Sequence, residues 1–215
     1  MPFFVLRAVR VLSAAAIMLG FAAGHAAASE TITLTPSNWV PQTGTWTFKS
    51  GRYVGVTGKK ITDEAITVYN AVSGDLATFF GTVTVSVPLD PKLKLGDGFV
   101  LLRGKLTQFD DGDETADGYF AGLSRSTRDG TQLVIFKRVK AADKLLCKIE
   151  VEPKNPDGPQ KLEITVGGKT ILVKNSGKSC KATDRSFTEG LFGFYTGQST
   201  NTHAFKVVRI DMVAK

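Results

Sequence analysis

From Thr31 onward apolar and polar residues alternate with a period of two, and Gly, Pro, Asn or Asp breaks the alternation every eight to twelve residues. That is the pattern of many short, half-buried strands. In Thr82-Val83-Thr84-Val85-Ser86-Val87 the valines point one way and the hydroxyls the other, and Pro88 ends the run. In Leu145-Leu146-Cys147-Lys148-Ile149-Glu150-Val151-Glu152, Leu145, Cys147, Ile149 and Val151 share the predicted core side, opposite Lys148, Glu150 and Glu152. Leu162 to Val166 and Thr170 to Val173 flank Gly167-Gly168, which predicts a tight hairpin. Further strands are predicted at Thr31 to Thr35, Thr45 to Lys49, Arg52 to Thr57, Ile66 to Asn70, Phe99 to Lys105, Gly118 to Ser124, Gln132 to Arg138, Leu191 to Thr196 and Ala204 to Met212, about thirteen in all. In the last of these Phe205 and Val207 share a face while Val208, Ile210 and Met212 take the other, so either a bulge intervenes or both faces are covered. Helical periodicity is confined to one candidate turn, Thr62-Asp63-Glu64-Ala65, and no fixed-period repeat is present.

The first 28 residues break this pattern. Arg7 and Arg10 precede a largely apolar stretch from Val11 to Ala23, and Ala26-Ala27-Ala28 offers small residues for cleavage, so residues 1–28 read as a secretory signal peptide and 29–215 as one mature domain. No later run is long enough to span a bilayer as a helix, and no Cys lies near the cut for lipid attachment. The expected product is periplasmic or secreted and not membrane-spanning. The whole chain carries a net charge of +7; without the leader, 25 basic residues face 20 acidic ones. A hydrophobic fraction of 42% excludes a disordered chain, and two Cys exclude a disulfide-dense miniprotein or a four-Cys zinc site. In an oxidising compartment Cys147 and Cys180 are expected to pair; two separate buried thiols are the alternative.

Four segments carry a family resemblance. Trp46 with Gly51-Arg52-Tyr53 resembles an opening strand and turn, and Gly98 to Arg103 with Gly118 to Leu123 a central strand pair. Gln132 to Lys137 is similar to the next strand, and Gly190 to Thr196 with Ala204 to Ile210 to closing strands that return beside the first. Together they resemble the concanavalin A-like lectin/glucanase superfamily, with its laminin-G-like and 3-keto-disaccharide-hydrolase-like branches. The resemblance implies an all-β jelly-roll sandwich of two antiparallel sheets, with ligands across the concave face or along its rim. A lipocalin-like barrel, suggested by Gly44-Thr45-Trp46, is the runner-up, but about thirteen strands are too many for it.

The candidate chemistry is thin. A retaining glycosidase needs two carboxyls about 5 to 5.5 Å apart on one face; Glu150 and Glu152 alternate, but Lys148 shares their face and no third acid follows. Once His25 leaves with the leader, any imidazole chemistry depends on His203. Gly167-Gly168-Lys169-Thr170 lacks the earlier glycine of a phosphate loop and sits in a hairpin. Asp110, Asp111, Asp113, Glu114 and Asp117 offer oxygen ligands for calcium, without the spacing of an EF-hand, and a solvated loop is the alternative. The basic run Lys137-Arg138, Lys140, Lys144 and Lys148 suits anionic polysaccharide or a wet strand face, and no nucleic-acid motif is present. A sugar asks for flat aromatic faces and planar hydrogen-bonding groups, which points to Tyr53, Tyr119 and Tyr195 with Arg103 and Arg125. The expected function is an exported, noncatalytic carbohydrate-binding module of the cell envelope that takes a glycan or envelope polysaccharide. A glycoside hydrolase or lyase is the alternative if two or more carboxylates converge in the groove, and a structural or protein-interaction domain if the groove is closed.

Overall fold

The computed structural model describes residues 36–57, 64–69, 76–89, 92, 94–108, 114–197 and 202–214. A single 3-10 turn, Pro36–Asn38, leads into fourteen strands among these residues: β1 (Trp39–Thr43), β2 (Thr45–Lys49), β3 (Arg52–Val56), β4 (Glu64–Tyr69), β5 (Leu76–Ser86), β6 (Leu95–Gln108), β7 (Glu114–Ser126), β8 (Gly130–Val139), β9 (Ala142–Val151), β10 (Gln160–Gly167), β11 (Thr170–Asn175), β12 (Lys178–Thr183), β13 (Leu191–Gly197) and β14 (Thr202–Ala214). The first sheet has the order β1-β4-β13-β6-β7-β8-β9 and the second β12-β11-β10-β5-β14-β3-β2. Every neighbouring pair is antiparallel. Two open sheets packed face to face make a sandwich rather than a closed barrel. No helix among the described residues is long and apolar enough to cross a membrane.

Strand parity sets the core. Val83 and Val85 are fully buried between the sheets, and Val100, Leu102, Leu133, Ile135, Ile164 and Val173 meet them there. Trp39 lies at one end of this layer, stacked on Phe194 with ring centroids 4.5 Å apart. At Gly167–Thr170 the chain turns in two residues, with Gly168 at φ 53° as the predicted hairpin requires. The edge strand β1 carries Pro41, which blunts its pairing capacity. At the other side of the sandwich the edge strands β9 and β12 are joined by the disulfide Cys147–Cys180.

Two local expectations change, and one open alternative is decided. Glu64 and Ala65 open β4 instead of a helical turn, while Thr62 and Asp63 lie outside the described residues, as does the expected strand Thr31 to Thr35. In β9 the pairing shifts between Ile135–Cys147 and Phe136–Leu145, so a bulge puts Leu145 on the outer face, 56% exposed, and Leu146 against the core in its place. In β14 a bulge between Val207 and Arg209 accounts for the double apolar pattern.

The disulfide closes a loop of 33 residues, which in the chain-entropy account contributes about 3–4 kcal/mol. Reducing it, or replacing Cys147 and Cys180 by Ala, is predicted to lower the melting temperature by roughly 6–16 °C in calorimetry, with the strand signal in circular dichroism retained at 20 °C.

Candidate functional site

Because Leu133 and Ile135 of β8 enter the interlayer core, the alternate residues Gln132, Val134, Phe136 and Arg138 face outward from the first sheet. They are joined on that face by Ile66, Phe99, Leu101, Phe120 and Tyr195 in a second apolar cluster, most of it nearly inaccessible. Burial on a face with no sheet above it needs a cover, and the far end of the β6–β7 hairpin supplies one. Arg103 adopts φ 52° and Gly118 φ 146°, and the pairing jumps from Leu102–Tyr119 to Lys105–Asp117. Beyond this bend Leu106 and Ala116 pack on the outer cluster, and β7 touches β1 and β4 at the opposite edge of its own sheet.

The uncovered part of the face is a trough of about 710 Å³. Phe99, Val134, Phe136, Leu145 and Tyr195 supply its apolar surface, and Glu64, Asp97, Ser124, Gln132, Arg138, Asp143 and Lys148 its polar groups. Register explains the grouping: Tyr195, Phe99, Gly122, Val134 and Lys148 lie on one rung, and Asp97, Ser124 and Gln132 on a neighbouring one.

Arg138 anchors the covered end, its side chain 7% exposed. Nη1 donates to Glu64 Oε1 at 2.7 Å, Glu64 Oε2 at 2.9 Å and Thr115 Oγ1 at 3.0 Å. Nε and Nη2 donate to the two carboxylate oxygens of Asp143 at 2.6 and 3.1 Å. The guanidinium carbon lies 5.3 Å from the ring centroids of both Phe120 and Tyr195. Burial opposes its charge, but the Asp143 hydrogen bond and the fields of Tyr195, Glu64 and Asp143 outweigh burial and hold the proton more tightly than in water. The Tyr195 hydroxyl donates to Glu64 Oε1 at 2.8 Å, and burial together with the Glu64 charge pushes its pKa well above the usual tyrosine value. This hydroxyl passes over Gly197, where an added Cβ would lie 2.5 Å from it.

Asp97 is the trough carboxylate outside this cluster. Burial raises its pKa from 3.8 to about 6, and a hydrogen bond with Ser124 only partly offsets the desolvation.

Of the five sugar-binding candidates, Tyr195 lines the trough. Tyr53 is 4% exposed and stacks on Trp46 in the interlayer core. Tyr119 is also interlayer: its hydroxyl donates to Asp184 at 2.7 Å and accepts the Phe187 N–H at 3.1 Å. Arg103 is 2% exposed and donates to the carbonyls of Gly168 and Phe187 at 2.8 and 3.1 Å. Arg125 pairs with Asp157 on the surface. Asp110, Asp111 and Asp113 lie outside the described residues, while Asp117 accepts the backbone N–H groups of Lys140 and Ala141 at 2.9 and 3.4 Å. Among the described residues no group of three or more His, Cys, Asp or Glu is placed to hold a metal. Glu64, Asp97, Ser124, Gln132 and Asp143 carry no site signal of their own in the sequence and Arg138 only that of the basic run; the outward parity of Gln132, Val134, Phe136 and Arg138 is the signal that marks part of the face.

No protein-family model and no curated protein sequence matches the chain. Solved structures do. The carbohydrate-binding module CBM66 from Bacillus subtilis superposes with a TM-score of 0.60 at 17% identity, covering 81% of this chain and 95% of that one. The fold is the concanavalin A-like jelly roll. A legume lectin-like domain from Entamoeba histolytica matches this jelly roll with a TM-score of 0.56 at 17% identity, covering 85% and 94% of the two chains. The VIP36 exoplasmic/lumenal domain in a Ca2+/Man2-bound form matches with a TM-score of 0.55 at 15% identity, covering 83% and 81%.

Two predictions test this jelly-roll site. Arg138→Met leaves Glu64 and Asp143 without their shared cation and should cost about 3–5 kcal/mol in urea unfolding, most of it recovered when Glu64→Gln and Asp143→Asn are added. For Asp97 the folded pKa lies above the unfolded value, so its stabilising contribution is complete below pH 3.8 and lost as pH rises through about 6. Asp97→Asn should therefore stabilise the protein at pH 7.5 by roughly 1–3 kcal/mol and change little at pH 4.

Proposed function

We propose that this chain is an exported, noncatalytic glycan-binding module whose ligand lies in the trough of the first sheet. The observation that carries this reading is the division of labour among the trough carboxylates. Three are present, which by count alone would suit a hydrolase. Both oxygens of Glu64 are engaged by Arg138, Tyr195 and Thr115, and both oxygens of Asp143 by Arg138. A carboxylate whose two oxygens are held by charge-assisted hydrogen bonds to a guanidinium is turned toward that partner rather than toward a substrate. Asp97 is left to act alone, and glycoside hydrolysis by paired carboxylates needs two free groups.

The open half of the trough has the two surfaces that a sugar ring needs. Val134, Phe136 and Leu145 offer apolar contact for ring C–H groups, and Asp97, Ser124 and Gln132 offer acceptors and donors for hydroxyls. The printed names of similar structures, a carbohydrate-binding module and lectin-like domains, support the same reading. The disulfide and the apolar leader support export. The acidic segment at Asp110, Asp111 and Asp113 keeps calcium within the proposal, so binding is measured with calcium and with chelator.

The test is a glycan array followed by calorimetric titration of its best hit. The wild-type chain should bind at least one oligosaccharide, Asp97→Ala should weaken it about tenfold or more, and no reducing ends should appear on prolonged incubation. Release of reducing ends that Asp97→Asn abolishes would establish the hydrolase instead, and no binding across the array would favour a protein-interaction role.

A further inference from the structure

The trough holds one carboxylate that the fold does not neutralise. Asp97 lines the trough and is only partly buried, so a ligand can reach it. It shares the strand parity of Phe99, which puts it on the outer face with Ser124 and Gln132. Ser124 hydrogen-bonds the carboxyl, and no Lys or Arg forms an ion pair with it among the described residues. The two cations that line the trough are committed elsewhere. Arg138 lies about 20 Å along β8 from Gln132 and is engaged by Glu64 and Asp143. Lys148 stands three strand spacings from β6, about 14 Å at the backbone, with its Nζ 3.6 Å from Asp129.

Negative charge continues along the same rung. Gln132 pairs with Glu150 on β9, which is exposed and also has no ion-pair partner among the described residues. Three carboxylates against two cations line the trough, on a chain whose net charge is +7. The shape is that of a low floor between two polar walls. β6 and β8 flank β7, so Asp97 and Gln132 stand about 10 Å apart at the backbone. Between them β7 presents only Ser124 and, on the next rung, Gly122. A sugar ring laid across β7 finds apolar contact at Phe99 and Val134 and hydrogen-bonding groups on either side.

A neutral sugar can donate hydroxyl groups to Asp97, but it leaves the charge of a partly desolvated carboxylate unbalanced. An ammonium group donates to the carboxylate and neutralises it at once, and such charge-assisted bonds are the stronger kind. A basic peptide would bring the charge on a thin, flexible stem that does not fill a ring-wide space. We propose, on the reading of the trough as a glycan site, that its ligand is a saccharide bearing a protonated amine, with the ammonium seated on Asp97 and the ring lying across Gly122 and Ser124 toward Gln132. Asp97 is then the residue that sets the specificity of the site.

The experiment titrates the mature chain, followed by backbone amide NMR, with glucosamine and galactosamine, with their N-acetyl derivatives, and with glucose and galactose. Nα-acetyl-lysine amide serves as a cation without a ring. At pH 7 Asp97, whose pKa is about 6, is mostly ionised, and the sugar amine is mostly protonated. At least one amino sugar should bind about tenfold or more tightly than its N-acetyl and hydroxyl counterparts, with shifts gathered on residues 97, 124 and 132. In Asp97→Asn, which keeps the shape of the side chain, that ratio should fall to about one, with a melting curve confirming that the variant is folded. Equal affinity for amino and neutral sugars in the trough would overturn the inference and leave the glycan-binding reading standing. So would silence toward every amino sugar while a neutral glycan from the array shifts residues 97, 124 and 132. An undiminished ratio in Asp97→Asn, or acetyl-lysine amide binding as tightly as the amino sugars, would overturn it as well. An absence of trough shifts with every saccharide, array hits included, would instead bring down the glycan-binding reading itself.

Discussion

A guanidinium withdrawn from water must find counter-charge and acceptors for its N–H groups, and Arg138 finds them in one near neighbour across its own hairpin and in three segments far apart in the chain. Glu64 comes from β4, Thr115 from the hairpin end of β7, Asp143 from the start of β9 and Tyr195 from β13. Of these contacts the one with Thr115 depends on the β6–β7 hairpin bending at Arg103 and Gly118, whereas Asp143 is the direct cross-strand partner of Arg138. Thr115 therefore ties the bent hairpin to the ion cluster. Together they decide which part of the outer face is covered and which part is left as a trough.

The same cluster decides what the trough can do. Two of its carboxylates, Glu64 and Asp143, are hydrogen-bonded to Arg138, while Asp97 stands outside that cluster. A comparable sorting acts on the basic run from Lys137 to Lys148. Lys137 turns toward the interlayer end and donates to Asp184 and Ser186 at 2.7 and 2.6 Å, and the carboxyl of Asp184 is held far below the usual range despite the opposing effect of burial. Arg138 points to the other face. Residues adjacent in sequence on a strand diverge, so the run does not make a single patch.

The architecture was legible in the sequence because a period of two is a local signal. Thr82 to Val87, the Gly167-Gly168 hairpin and the two closing strands needed no long-range information. The strands β1 and β12 were harder, since β1 contains Pro41 and β12 buries only Cys180 and Ala182 among exposed Lys178, Ser179, Lys181 and Thr183. The site was less legible for a physical reason. Residue type alone points to Tyr53 and Tyr119, but parity groups Tyr119 with Ala121 and Leu123, which are core residues. Leu145 reversed its face through a one-residue bulge that leaves no mark in composition. The Arg138 cluster depends on partners up to 74 residues away, and neither spacing nor type announces such a meeting.

The central claim is that the trough of the first sheet, at its Asp97–Gln132 end, is where a glycan is held. Saturation-transfer and methyl-shift NMR on the chain with its best oligosaccharide tests this without any substitution. Magnetisation should pass from the ligand's ring protons to the methyl groups of Val134 and Leu145, while those of Val83 and Val173 in the interlayer core stay unchanged. Transfer to residues outside the trough, with Val134 and Leu145 silent, would contradict the account.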